Sequence, residues 1–355
     1  MDFTIKLLPK LYKALQSQGF SFISVSDILQ NKEISSKYII LRHDVEKYYE
    51  NALEFARIQN ELGIRGVYYF RISEKFFKAD IVRQIVSLGH EVGYHYDDLT
   101  KCNGNYDCAI IRFEKNLNML REIGPVKTIC MDGSPLSRYD NRNLWRRSDS
   151  ETERLRDGSR EYEVGSKEKG VKSKEKGASE MHDHKKKIEH KNFTAHHSSL
   201  TSFYHYRDFG IIGEPYFDID FSEVLYLTDT GRRWDGGKVS VRDKVGSREY
   251  GVGSKKYGVR SKERIGENEK ERKGEGASER TDEKEKKDDS PLNLKYRFHS
   301  TNDIIKAAEE GRLPDKIMMT FHPQRWHDKP WPWVKELVWQ SVKNQGKRVL
   351  IRLRD

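Results

Sequence analysis

Histidines and carboxylates recur in this chain just after short apolar runs. Arg42, His43 and Asp44 close YIILRHD (38–44), and His95 closes EVGYH (91–95), with Tyr96, Asp97 and Asp98 behind it. Asp132 ends VKTICMDG (126–133). Asp229 ends VLYLTD (224–229), followed by Arg232, Arg233, Trp234 and Asp235. His322 ends KIMMTFHP (316–323), followed by Gln324, Arg325 and Trp326. Carboxylate oxygen and imidazole nitrogen are the donors that zinc and similar divalent ions take. Such an ion polarises a carbonyl and acidifies a water molecule. A carboxylate or imidazole can then take the proton, and an acid can protonate the departing group. The chemistry within reach is metal-assisted hydrolysis. Each cluster alone has a plainer reading, because a strand-end His is often structural and a strand-end Asp often caps the next helix. Independent caps would not also supply two histidines and several aspartates to one face.

The elements that must position these residues alternate along the chain. YIILRHD precedes a helical pattern over 50–64, with Ala52, Phe55, Ala56, Gln59 and Leu62 on one face and Gly63 at its end. RGVYYFRI (65–72), a helix over 79–89, EVGYH, a helix over 113–124 and VKTICMDG continue the alternation. FGIIGEPYF (209–217) and VLYLTD come next, then a helix over 303–311, KIMMTFHP and a last helix over 333–344. Strands alternating with helices predict βαβ units and a parallel sheet. In such folds function collects at the C-terminal ends of the strands. The clusters above stand at those ends.

Composition shows what interrupts this core. Of the 355 residues, 35% are hydrophobic and 34% charged, a dilution that points to solvated segments around a normal core. GSREYEVGSKEKGVKSKE (158–175) returns as GSREYGVGSKKYGVRSKE (246–263), and GASE follows each copy at 177–180 and 276–279. Two distant copies without large apolar residues do not make a solenoid. High charge with little to bury is the signature of disorder. The charges are mixed, 14 Lys/Arg against 11 Asp/Glu in 146–197 and 13 against 12 in 246–289. This argues against a nucleic-acid tail, which needs a block of one sign. The expected organisation is a barrel over 1–145, a charged insert over 146–202, more barrel over 203–245, a second insert over 246–294 and the end of the barrel over 295–355. Lys6, Lys10 and Lys13 break up the N-terminal apolar residues, so no signal-peptide core forms, and no apolar run would span a bilayer. Cys102, Cys108 and Cys130 are too few and too oddly spaced for a disulfide framework or a zinc pair. The expectation is a cytoplasmic protein.

With these residues in place, the core resembles the polysaccharide deacetylase superfamily (NodB-like, carbohydrate esterase family 4). LRHDV stands where that family carries its first Asp-bearing motif, which supplies a catalytic base and a metal-binding Asp. LGHEVGYHYDD resembles the second motif, and MMTFHP the late motif whose His acts as general acid. GSPLS and DTGRRWDG fall roughly where its Arg/Pro and Asp/Trp motifs stand. The resemblance implies an α/β fold of the distorted or incomplete (β/α) barrel type. It implies a divalent ion, zinc by preference, and removal of an acyl group from an amino sugar or related glycan. Asp44, His43 and His322 would then be catalytic, and Asp44 and His95 would hold the ion. Arg42, Asp132, Arg233, Trp234, Arg325 and Trp326 would contact the carbohydrate. The chain departs from the pattern in three places. Leu99 stands where the second motif has its other His, His43 precedes Asp44 in place of a second Asp, and GSPLS lacks the Arg. Asp98 is the favoured third ligand, with His43, His322 and Asp132 as other candidates. A NodB-like domain that has lost hydrolysis and binds a glycan or a partner is the alternative.

Overall fold

Three elements between Leu8 and Leu29 precede the strand that carries Asp44. The computed structural model describes residues 1–30, 33–73, 75–134, 137–145, 204–234 and 296–354. The two repeat-bearing segments expected to be disordered lie outside the described residues. In chain order the elements are α1 (Leu8–Ser17), β1 (Ser21–Ile23), α2 (Val25–Leu29), β2 (Tyr38–Val45), α3 (Tyr49–Glu61) and β3 (Val67–Phe70). Then come α4 (Ala79–Ser87), β4 (Glu91–Tyr96), α5 (Asp98–Lys101), α6 (Tyr106–Arg121) and β5 (Val126–Met131). The last are α7 (Pro215–Asp218), β6 (Leu225–Thr228), α8 (Thr301–Glu309), β7 (Lys316–Phe321) and α9 (Pro330–Arg354).

The chain is α/β, with a seven-stranded parallel sheet in the order β5-β4-β3-β2-β7-β6. β1 pairs the first half of β2 through Ser21↔Tyr38, and β3 takes over on the second half through Arg42↔Val67. FGIIGEPYF supplies one bridge residue, Gly213, on the outer edge of β5 before α7 begins. Parallel strands covered on both faces read as continuous apolar runs, and all eight residues of β2 are buried. Tyr38 and Ile40 from β2, Val67 and Tyr69 from β3, Cys130 from β5, Tyr226 from β6 and Met318 from β7 share one apolar cluster. Strands at opposite ends of the order thus feed a common interior, an arrangement compatible with a barrel-like α/β fold.

Period-2 alternation carries this inward face on to polar residues. In β2 it runs Tyr38, Ile40, Arg42, Asp44, while Ile39, Leu41, His43 and Val45 face the helices. Gly93 makes the equivalent step in β4. A Cβ there would lie 2.4 Å from the Tyr69 ring and 2.7 Å from the Thr128 carbonyl oxygen. Only glycine at this position lets the Tyr69 ring lie against β4.

Several boundaries differ from the expectation. The helix expected over 113–124 begins at Tyr106, where Asn105 caps it by accepting from the Cys108 amide at 2.9 Å. The final helix is also longer than the apolar pattern suggests. Cys102 and Cys108 form a disulfide across the α5–α6 turn, with Cα atoms 5.8 Å apart, against the expectation of none. Counting cysteines over the whole chain overlooks a pair brought together by one turn, at a separation ordinary for a disulfide. Among the described residues no helix is long and apolar enough to cross a membrane.

Candidate metal centre

Asp44, His95, Asp132 and His322 come from four different strands and converge at the C-terminal end of the sheet. The side chains around each one decide which atom it presents. His95 Nδ1 lies 3.0 Å from the Cys130 carbonyl oxygen, so Nδ1–H donates there and Nε2 keeps its lone pair. That Nε2 is 4.0 Å from Asp44 Oδ2 and 3.9 Å from Asp132 Oδ2. His322 is fixed in the same sense. Its Nδ1 is 2.6 Å from Asp229 Oδ1, and its Nε2 is 3.9 Å from Asp44 Oδ2. An acceptor behind each imidazole is how proteins orient histidines toward an ion.

The carboxylates are equally well held. Asp44 accepts a two-pronged hydrogen bond from Arg42, Nε to Oδ1 at 2.8 Å and Nη2 to Oδ2 at 2.7 Å. Burial would raise the Asp44 carboxyl, but Arg42, then His95 and His322, hold it well below the usual range. Asp132 accepts from the Ser134 amide and hydroxyl at 2.8 and 2.9 Å and from Arg71 Nη1 at 3.0 Å. Here too burial pushes up, while His95, Arg71 and Ser134 together pull the carboxyl down. Asp229 accepts from the His322 amide, Trp326 Nε1 and Arg325 Nη1 as well as from the His322 ring. His322 and Arg325 outweigh its burial and keep it anionic.

These groups include buried arrangements that could hold a metal ion. Ligand atoms of Asp44, His95 and Cys130 lie within 4.8 Å of one another, and so do those of Glu46, His95 and Asp132. Two donors about 2.1 Å from one ion can be at most about 4.2 Å apart, so the His95–Asp44 separation is within reach of a shared ion, while His322 belongs to neither group. Carboxylates held anionic are what ligation requires. The donor set fits.

The structure moves other residues of the sequence reading away. His43 faces outward, its ring stacked on Tyr68 at 4.0 Å between β2, β7 and α3. Its Nδ1 meets the Val67 carbonyl oxygen at 3.0 Å and its Nε2 the Gln59 amide nitrogen at 2.8 Å. Burial lowers this imidazole to about 3. His43 is a neutral core residue and does not serve as a base at this centre. Asp98 also points to the helix side. Both its oxygens accept from Tyr94 (2.9 and 2.8 Å), and Arg112 Nη1 lies 2.5 Å from Oδ1. Strand alternation sends Tyr94 and His95 to opposite faces, and Asp98 follows Tyr94. Asp98 is not beside His95. Asp97 accepts from the same Arg112 nitrogen at 2.9 Å, and burial and the charge of Asp132 push its carboxyl up.

The residues expected to contact carbohydrate fall in different places. Trp234 is buried, with Nε1 donating to Thr301 Oγ1 at 3.0 Å, and Trp326 is buried against Asp229. Both indoles are core cover. Arg233 Nη2 lies 3.0 Å from His299 Nδ1, and Arg42 is 1% exposed beneath Asp44. Arg325 stays at the centre through Asp229, and Asp132 belongs to the centre itself. Asp229 stood in a strand-end cluster without a role, and Glu46, Arg71 and Cys130 were not singled out. Continuing the inward alternation past Asp44 to Glu46, and from Val67 and Tyr69 to Arg71, is the signal that finds two of them.

Comparison of the chain with protein-family models, curated proteins and solved structures finds no match in any of the three. The functional argument therefore rests on the geometry.

Proposed function

We propose that the chain is a metal-dependent hydrolase of the polysaccharide-deacetylase type, removing an acyl group from an amino sugar or related glycan. One observation carries this reading: His95 and His322 aim Nε2 at the same Asp44 oxygen from 4.0 and 3.9 Å, each backed at Nδ1 by its own acceptor. Asp44 and His95 would hold a divalent ion, zinc by its taste for mixed oxygen and nitrogen donors. When bound, such an ion polarises an acyl carbonyl and makes water acidic. Asp132, anionic and 3.9 Å from His95 Nε2, accepts the proton of the attacking water. His322 donates to the departing amine or alcohol, and Asp229 steadies its imidazolium form. Arg71, a quarter exposed on the rim beside Asp132, is placed to meet the substrate. The carbohydrate substrate, zinc and a cytoplasmic setting rest on the motif resemblance and the composition.

A second reading has a specific observation of its own. Arg42 spans both oxygens of Asp44, and Arg71 sits between Asp132 and Glu46 at 3.0 and 3.8 Å, so guanidinium groups already balance the carboxylates. With Leu99 buried where the family's second His stands, this suits a domain that has lost hydrolysis and binds a glycan. Metal analysis of the purified protein, with acetate release from N-acetylated amino sugars, decides between them. Stoichiometric zinc and metal-dependent acetate release are expected, and a protein that takes up no divalent ion would overturn the hydrolase.

A further inference from the structure

The three cysteines are of two kinds. Cys130 is buried in the sheet, whereas Cys102 and Cys108 are joined across the turn between α5 and α6, and Cys108 is exposed. The joined pair stands six residues apart in sequence, and closing so short a loop constrains the chain only modestly. An exposed disulfide of this kind is open to thiol–disulfide exchange. What it secures is α5, a helix of four residues that is too short to persist by itself.

α5 is tied to the backbone behind the candidate metal centre. The Thr100 amide donates to Asn141 Oδ1 at 2.9 Å, and Asn141 Nδ2 donates to the Asp132 carbonyl oxygen at 2.8 Å. One fully buried side chain thus links α5 to Asp132. Thr100 Oγ1 also lies 3.2 Å from Ser137 Oγ. The Gly104 amide closes the turn by donating to the Leu99 carbonyl oxygen at 2.9 Å. Gly104 has a φ of +84° and packs against the Tyr139 ring, where a Cβ would come within 2.2 Å. The disulfide spans this turn, from Cys102 at the end of α5 to Cys108 in the first turn of α6.

We propose that Cys102–Cys108 is a redox site that sets how firmly Asp132 is held. The assignment rests on the reading of Asp132 as a working carboxylate of the candidate centre. A dithiol reductant supplies the two electrons. One of its thiolates attacks the exposed Cys108 sulfur, the S–S bond breaks, and Cys102 leaves and takes up a proton. The second thiol then displaces Cys108 from the mixed disulfide, which yields two cysteine thiols and the oxidised reductant. With the link gone α5 frays, Asn141 loses its fixed partner at Thr100, and Asp132 loosens. Oxidation reverses these steps and restores the hold.

The full chain, oxidised or reduced with dithiothreitol that is then removed, tests this in two measurements. The first is amide hydrogen exchange without metal. Reduction should speed exchange over 98–105 and 137–145 by about 10-fold or more, while β2, β3 and β7 stay protected. The second is zinc titration against a chelating dye. The reduced protein and Cys102→Ser/Cys108→Ser should bind zinc about 10-fold more weakly than the oxidised parent, and oxidised glutathione should restore the parent alone. The double-serine protein has no thiols at the turn that could themselves take zinc. Asn141→Ala should bind as weakly and no longer respond to reduction. Unchanged exchange on reduction, or equal zinc affinity in the oxidised parent and the double-serine protein, would overturn the redox site. A chain that takes up no divalent ion in either state overturns the hydrolase instead, and hydrogen exchange then decides the redox site alone.

Discussion

Asp229 Oδ1 and His322 Nδ1 lie 2.6 Å apart, and this contact decides which nitrogen of His322 faces Asp44. The carboxylate is buried under four donors, so it is oriented as firmly as the imidazole it orients. Asp229→Asn keeps the shape but removes the charge and lets the ring adopt the other tautomer. In the proposed reaction kcat should fall on the order of 10²–10⁴-fold with little change in KM. A pH–rate profile of the variant, read beside its metal content, checks that the loss is in proton transfer.

Asp98, the third ligand expected from the sequence, should be dispensable for metal binding. Asp98→Asn should retain metal, because Asp98 is engaged with Tyr94 and Arg112 on the helix side. His95→Gln and Asp132→Asn should each lower affinity by about 10-fold or more, in the range seen when ligands or their orienting partners are lost. Titration with zinc against a chelating dye measures this. Equal losses for Asp98→Asn and Asp132→Asn would contradict the geometry.

Arg42 is a positioning residue for Asp44. Arg42→Met leaves a buried carboxylate without its partner, an effect of about 3–5 kcal/mol in comparable buried pairs. Bound zinc should restore part of that loss, so the rise in melting temperature on adding zinc should be larger for the variant than for the parent. Calorimetry with and without the ion compares them.

His43 makes stability pH-dependent in a defined direction. Its imidazole is lowered to about 3 in the fold, chiefly by burial, whereas an unfolded chain binds the proton near about 6.5. Between those values the unfolded chain carries more protons, so this contribution is complete above about 6.5 and is lost as pH falls toward 3. His43→Phe should keep the ring packing but strand the Val67 carbonyl and the Gln59 amide, at about 1–3 kcal/mol near neutral pH. Its urea midpoint should then decline less steeply than the parent's from pH 6.5 to 4.

Deleting 147–200 and 246–290 should leave a protein that still unfolds cooperatively. The described strands on either side already complete one sheet, with β6 pairing β7 and Gly213 bridging β5. Neither stretch offers enough apolar residues to hold a core. Thermal unfolding of the double-deletion protein is the measurement, and a broad non-cooperative transition is the contrary outcome.

Local pattern alone determined the alternation of strands and helices, because burial on both faces of a parallel strand and one face of a helix imposes different apolar periods. The same pattern marked Asp44, His95 and His322, since polar residues ending apolar runs stand where parallel strands open to solvent. What it left undecided is which way each side chain faces. His43 and Asp44 are neighbours in sequence and lie on opposite faces of β2. Asp98 turns to Tyr94 where β4 gives way to α5, away from His95. A one-residue difference in where a strand ends reverses such assignments, and that end is set by contacts with other strands. Trp234 and Trp326 illustrate the same limit. Indoles beside arginines look like a sugar platform in sequence, but packing against Phe3 and Phe321 buries them in the core. The tertiary structure alone supplied Asp229 behind His322 and Arg71 beside Asp132, because each depends on residues far apart in the chain meeting across the sheet.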